Sequence, residues 1–150
     1  MAFLALRGEP IGQLDAVLFD KDGTLSHSEP LLTRLARARI DLCEARVAPE
    51  RRLQVRELLE RAYGLEGDRL HPAGTTAVAS RSHNLISTAT VFCQVGLGWP
   101  EALRHSEEVF RCTDAGPGEG QTAAVALPTH GLERLLAELD AAGVVIGVIS

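Results

Sequence analysis

The stretch Val17–Pro30, VLFDKDGTLSHSEP, sets two aspartates, Asp20 and Asp22, at the end of the apolar run Ala16–Phe19. A continuous apolar run without alternation predicts a strand buried on both faces, as in a parallel sheet. Asp20 ends that run and Gly23 follows Asp22, so both carboxylates fall where the strand stops and the chain turns. Two carboxylates this close repel, and a cation or a shared proton relieves the repulsion. Mg²⁺ suits such a place, since it takes oxygen ligands and often combines one or two carboxylates with phosphate oxygens. A carboxylate can also carry a phosphoryl group as an aspartyl phosphate, while its neighbour serves as acid and base. Gly23 permits a turn that a side chain would oppose, so that nearby amides can face a phosphate. Thr24 adds a short hydroxyl that can fix the turn. DKDG is equally an ordinary turn sequence, because Asp and Gly favour turns for local reasons.

The far end of the chain has a related pattern. Gly131–Gly143, GLERLLAELDAAG, places Leu132, Leu135, Leu136 and Leu139 on one helical face, with Gly143 as the stop. Val144–Ile149 is again apolar and rich in β-branched residues, which predicts a second buried strand, followed by Ser150. Strand, helix and strand in that order imply a parallel pair. Ligands of open parallel sheets bind beyond the carboxyl ends of the strands, where Asp20, Asp22 and Ser150 all fall.

The residues between these ends read as helical. Ser28–Val47 has Leu31, Leu32, Leu35, Arg39 and Leu42 at helical spacing, Ser28 as an N-cap and Pro30 in the first turn. Arg34, Arg37, Arg39 and Arg46 read as its solvated face. Pro49–Tyr63 predicts a second helix, with Leu53, Leu58, Leu59 and Ala62 on one side and Gly64 as the stop. Helices are also predicted over Leu85–Gly96 and Pro100–Cys112, with Trp99 as an apolar anchor at the start of the latter and a glycine-rich loop after it, Thr113–Thr122. Arg81, His83 and Asn84 are placed in a loop before the third helix, where Arg81 can hold a carboxylate in bidentate fashion or the group can simply cap the helix. Near the N-terminus, Phe3–Leu6 predicts a short strand and Arg7–Gly12 a turn.

Composition narrows the classes. The 150 residues are 45% hydrophobic and 23% charged, a globular profile sized for one ordinary domain. A formal net charge of −5 argues against nucleic acid or an anionic membrane as partner. Three scattered cysteines, Cys43, Cys93 and Cys112, form no C-x-x-C pair and read as core or half-buried thiols of a reducing, cytoplasmic setting. The N-terminus lacks a basic leader ahead of its short apolar start, and no run approaches the roughly 20 apolar residues of a spanning helix.

On these residues the chain resembles the haloacid dehalogenase-like (HAD) hydrolase superfamily. VLFDKDGTL is similar to its first motif, an apolar strand followed by D-x-D-G-T-[LV]; GVVIGVIS resembles its second, an apolar strand ending in Ser or Thr. The position and size of the helical stretch resemble the cap of phosphoglycolate-phosphatase-like and phosphoglucomutase-like members. The resemblance implies an α/β fold: a HAD-like Rossmannoid parallel sheet, incomplete here, built from residues 1–27 and 128–150, with an all-helical cap at 28–127. It implies Asp20 as nucleophile, Asp22 as acid and base, both as Mg²⁺ ligands, and Gly23, Thr24 and Ser150 as phosphate-binding. Arg81 and His83 become candidate substrate contacts in the cap. Lys21 fills the variable position, its side chain expected to turn away. An Asp at position 22 fits phosphoryl transfer better than dehalogenation.

The implied activity is a Mg²⁺-dependent phosphatase acting on a small phosphorylated metabolite, with phosphoglycolate one candidate. The alternatives are a sugar phosphomutase of the same superfamily and a non-catalytic HAD-like remnant that binds a partner. Family members carry a Lys and an acidic pair beyond the second motif. Ser150 is the last residue, so the chain is expected to be the N-terminal part of a longer enzyme and inactive alone.

Overall fold

A computed structural model describes residues 2–115 and 126–149. The chain divides into two compact units, residues 1–28 with 126–150 and residues 29–125. Both are mixed products of the same chain, one built on strands and the other on helices.

The strand unit opens with a hairpin, β1 (Ala2–Leu6) and β2 (Glu9–Leu14), joined by Arg7 and Gly8 at φ of 54° and 87°. Two consecutive residues with positive φ match the right-handed twist of the flanking strands. The Arg7–Gly12 stretch is therefore mostly strand, not turn. The register shifts between Leu4 and Ala5, since Leu4 faces Gly12 and Ala5 faces Pro10. β3 (Ala16–Asp20) pairs in parallel with β8 (Val145–Ile149), Ala16 facing Val145 and Asp20 facing Ile149. Between them in sequence, β4 (Ser26–His27) pairs antiparallel with β7 (Leu127–Pro128), and α6 (Leu132–Ala141) leads into β8.

The expectation of strands buried on both faces is corrected. Leu18 is 67% exposed, Val145 68% and Val148 57%. α6 packs against β8 and buries Leu139 beside Val144, yet Leu135 remains exposed. Among the described residues this parallel sheet has two strands, too few to cover its own apolar faces.

In the helical unit, α1 (Glu29–Glu44), α2 (Pro49–Tyr63), α4 (Arg81–Gln94) and α5 (Trp99–Asp114) pack in a ring: α1 on α2, α2 on α4, α4 on α5, α5 on α1. The short α3 (Thr75–Val78) and a two-residue hairpin, β5 (Leu65–Glu66) with β6 (Arg69–Leu70), complete it. Ala36, Ile40 and Cys43 face Val55, Leu59, Tyr63, Phe92 and Phe110 in one fully enclosed core. Burial of this kind contributes about 1.5–3 kcal/mol per large apolar side chain.

Two helical faces differ from the sequence reading. In α2 the buried stripe is Val55, Leu59 and Tyr63, spaced by four, and Leu53 is 67% exposed. In α1, Arg39 is not solvated but 5% exposed, because its guanidinium lies 3.7 Å over the Phe110 ring and pairs with Asp114. A compensated, ring-stacked arginine can be buried where a bare one cannot. Arg37 and Arg46 are also engaged, with Asp68 at 2.7 Å and with the Leu42 carbonyl at 3.0 Å. Gly64 ends α2 at φ 79°, and its Cα sits so near Gly74 that neither position has room for a Cβ. Cys43 is buried, Cys93 half-buried and Cys112 exposed, and burial pushes the Cys43 thiol up to about 12.

Candidate functional site

Asp20 is the last residue of β3, exposed at the carboxyl end of the parallel pair. The next five residues fold into a tight turn. The Leu25 and Ser26 amides both donate to the Lys21 carbonyl, at 3.0 and 3.2 Å, and the Gly23 amide donates to the Ser26 carbonyl at 3.0 Å. Gly23 has φ 78°, the left-handed region that disfavours a side chain. Its amide is thus used inside the turn.

Asp22 is fixed from two sides. The Ser28 hydroxyl donates to Asp22 Oδ1 at 2.8 Å, and Lys21 Nζ lies 3.5 Å from Asp22 Oδ2. Lys21 therefore does not turn away: its amine reaches the neighbouring carboxylate by simple charge attraction. Ser28, read from sequence as an N-cap, instead directs its proton at Asp22. A hydroxyl can donate to a carboxylate or accept from a carboxylic acid, so this partner suits either state of Asp22.

The turn is tied to the far end of the chain. Thr129 donates its amide to the Leu25 carbonyl at 3.0 Å and its hydroxyl to the Thr24 carbonyl at 2.7 Å. Thr24 and Phe19 line a cleft of about 150 Å³ with Thr129, His130 and Leu132. Thr129 and His130 carry no sequence signal for this cleft, since Thr129 lies 105 positions along the chain from Thr24. Ile149 pairs with Asp20, while Ser150, the expected phosphate contact, lies outside the described residues. So do residues 116–122 of the predicted glycine-rich loop, whose first two residues, Thr113 and Asp114, instead close α5.

The donor set of the turn is hard oxygen, carboxylates at Asp20 and Asp22, which fits Mg²⁺ in kind. Among the described residues no group of three His, Cys, Asp or Glu side chains gathers around one point. A divalent ion here would complete its shell with water and ligand oxygens, as Mg²⁺ commonly does.

The two cap candidates separate. Arg81 and His83 stand in the first turn of α4, not in a loop, with Ser80 as N-cap accepting from the His83 amide at 3.2 Å. Residues two apart on a helix do not face each other. Arg81 pairs with Asp114 at the end of α5, and His83 is exposed. Asn84 is buried and donates to the carbonyls of Thr75, Ala79 and Ser80, which fixes the chain entering α4.

No family model matches this chain, and no curated protein matches it. Among the described residues, no helix is long and apolar enough to cross a membrane.

Proposed function

We propose that the chain carries the nucleophile half of a HAD-like phosphatase site, acting on a small phosphomonoester through an aspartyl phosphate. One observation supports this reading above the others. Asp20 stands at the carboxyl tip of a strand in a parallel pair, and Asp22 follows across a glycine turn with its carboxylate held by Ser28. An ordinary surface turn needs no such anchored second acid.

In the proposed chemistry an Asp20 oxygen attacks phosphorus and the bond to the leaving oxygen breaks. Asp22 gives that oxygen its proton, then takes a proton from the water that attacks the aspartyl phosphate, releasing phosphate and restoring Asp20. The Ser28 hydroxyl follows Asp22 through both states by turning from donor to acceptor. When bound, Mg²⁺ supplies charge neutralisation for the transferred phosphoryl group.

The test is melting of the protein with Mg²⁺ and beryllium fluoride, a mimic of the phosphorylated aspartate. A rise that is lost in Asp20→Asn is expected. No rise in the parent chain, or an equal rise in Asp20→Asn, overturns the reading.

A further inference from the structure

We propose that Thr129 is a positioning residue for the reaction at Asp20 and Asp22, acting through the backbone of the turn that carries Asp22; this rests on the phosphatase reading above. Lys21, Asp22, Gly23 and Thr24 are all exposed, so packing contributes little to where they stand. Hydrogen bonds place them instead. Those within the turn, from the Gly23, Leu25 and Ser26 amides to the Ser26 and Lys21 carbonyls, close it on itself. They do not fix it to the rest of the strand unit.

Thr129 supplies that tie. β4 and β7 pair Ser26 with Pro128 and His27 with Leu127, so the same ladder next brings Leu25 to Thr129. Proline has no N–H to give, and Thr129 is the first residue after β7 able to donate. Its amide donates to the Leu25 carbonyl at 3.0 Å, a bond any residue but proline can make. Its hydroxyl reaches one residue further, to the Thr24 carbonyl at 2.7 Å. That second bond belongs to the hydroxyl side chain.

The two bonds reach Asp22 through rigid parts. Each peptide unit is planar. The Thr24–Leu25 unit accepts from the Thr129 hydroxyl at its carbonyl and donates to the Lys21 carbonyl at its amide. The Leu25–Ser26 unit accepts from the Thr129 amide and donates to the same Lys21 carbonyl. Both planes are therefore clamped at both ends, and the Lys21 carbonyl belongs to the peptide that leads into Asp22. Thr129 thus holds the backbone of the second acid, while Ser28 holds its carboxylate. A displacement of about 1 Å can cost a reacting group roughly a hundredfold in rate. The Thr129 hydroxyl accordingly matters more to the site than to the stability of the fold.

The parent chain, Thr129→Val, Thr129→Ser and Gly143→Ala are titrated with beryllium fluoride at saturating Mg²⁺, reading the melting temperature. Hydrogen exchange of the Leu25 and Ser26 amides is followed without ligand. Valine keeps the shape of threonine and its amide bond but lacks the hydroxyl. Thr129→Val should bind roughly three- to tenfold more weakly, within the range of one ordinary hydrogen bond, and exchange faster at Leu25 and Ser26. Thr129→Ser should restore most of both. Gly143→Ala, a destabilised control after α6, should bind as the parent does. Full binding by Thr129→Val overturns the proposal, as does failure of serine to restore it. An equal loss in Gly143→Ala also overturns it, since the effect would then be one of stability. A parent chain with no response overturns the phosphatase reading, and this proposal with it; the other outcomes strike this proposal alone.

Discussion

The helical unit and the strand unit use similar apolar residues to opposite ends. Ile40, Leu59, Tyr63, Phe92 and Phe110 are at most 1% exposed, whereas Leu18, Val145, Val148 and Ile149 are 55–68% exposed. Helices that pack in a ring cover one another's apolar stripes, each with two neighbours. A parallel pair of strands has two broad faces, and one helix cannot cover both. The difference teaches that an apolar run specifies an element but not its burial, which depends on how many neighbours the chain supplies.

The largest expected effect breaks this comparison directly. Phe110→Ala should cost about 3–5 kcal/mol, since it opens a cavity and removes the ring under Arg39. Leu18→Ala in the exposed sheet should stay within about 0.5 kcal/mol. Urea unfolding followed by circular dichroism measures both. Comparable losses would mean that the sheet is covered in solution.

Next come the glycines. Gly64→Ala should cost roughly 2–3 kcal/mol, because its left-handed backbone alone costs a side chain about 1–2 kcal/mol and its Cβ would lie 2.6 Å from Gly74 Cα. Gly143, at φ 68° in the strand unit, has open space around it. Gly143→Ala should show the backbone cost and no more. Equal effects in urea melts would remove the close packing of Gly64 on Gly74 as a feature of the helical unit.

The third effect is alkaline and belongs to the helical unit alone. The Cys43 thiol has an ordinary value of 9.0 and is raised to about 12 by burial, with nearby Arg46 and Arg39 opposing the rise. Tyr63 is raised in the same direction, again by burial. A raised folded value means that the folded chain holds its proton more tightly, so the stabilisation is whole below pH 9 and drains as pH climbs toward 12. By pH 10.5 the thiol should account for about 2 kcal/mol of loss, 1.5 units at 1.36 kcal/mol each. Melting temperatures from pH 8.5 to 11 should fall less steeply in Cys43→Ala than in the parent. Parallel slopes would show that the thiol stays accessible to solvent.

Much of this was legible from local chemistry. The Asp20–Asp22 turn, the stop at Gly64 and the start of α2 at Pro49 each rest on residues within one turn of the feature. What sequence hid depends on distant partners. Arg39 looked solvated because its ring and carboxylate lie on α5, with Asp114 75 positions along the chain from Arg39. Arg81 looked like a loop residue because the cap, Ser80, carries no signal apart from being a serine among serines. The cleft beside Thr24 is made by Thr129 and His130, which no spacing connects to it. The predicted stripe of α2 erred at one position: Leu59 is buried and Leu58 packs on the core, but Leu53 is exposed and Val55 buried, since the two are equally apolar and only the neighbours choose between them.

The smallest effect tests the turn itself. Lys21 and Asp22 form an ion pair across 3.5 Å, with both side chains more than half exposed. Exposed pairs contribute little, about 0–1 kcal/mol, because water screens them and ordering two side chains costs entropy. Lys21→Met should therefore shift stability by less than about 0.5 kcal/mol. Ser28→Ala removes a hydrogen bond to the same carboxylate; bonds to charged groups are worth about 1.5–3 kcal/mol and ordinary ones about 0.5–1.5, and the exposure of Asp22 places this one toward the lower range. If the anchor of Asp22 is the hydroxyl, Ser28→Ala should both destabilise more and weaken the beryllium fluoride response, while Lys21→Met leaves that response intact. The reverse order would make the lysine the anchor, and the turn would then owe the position of its second acid to charge alone.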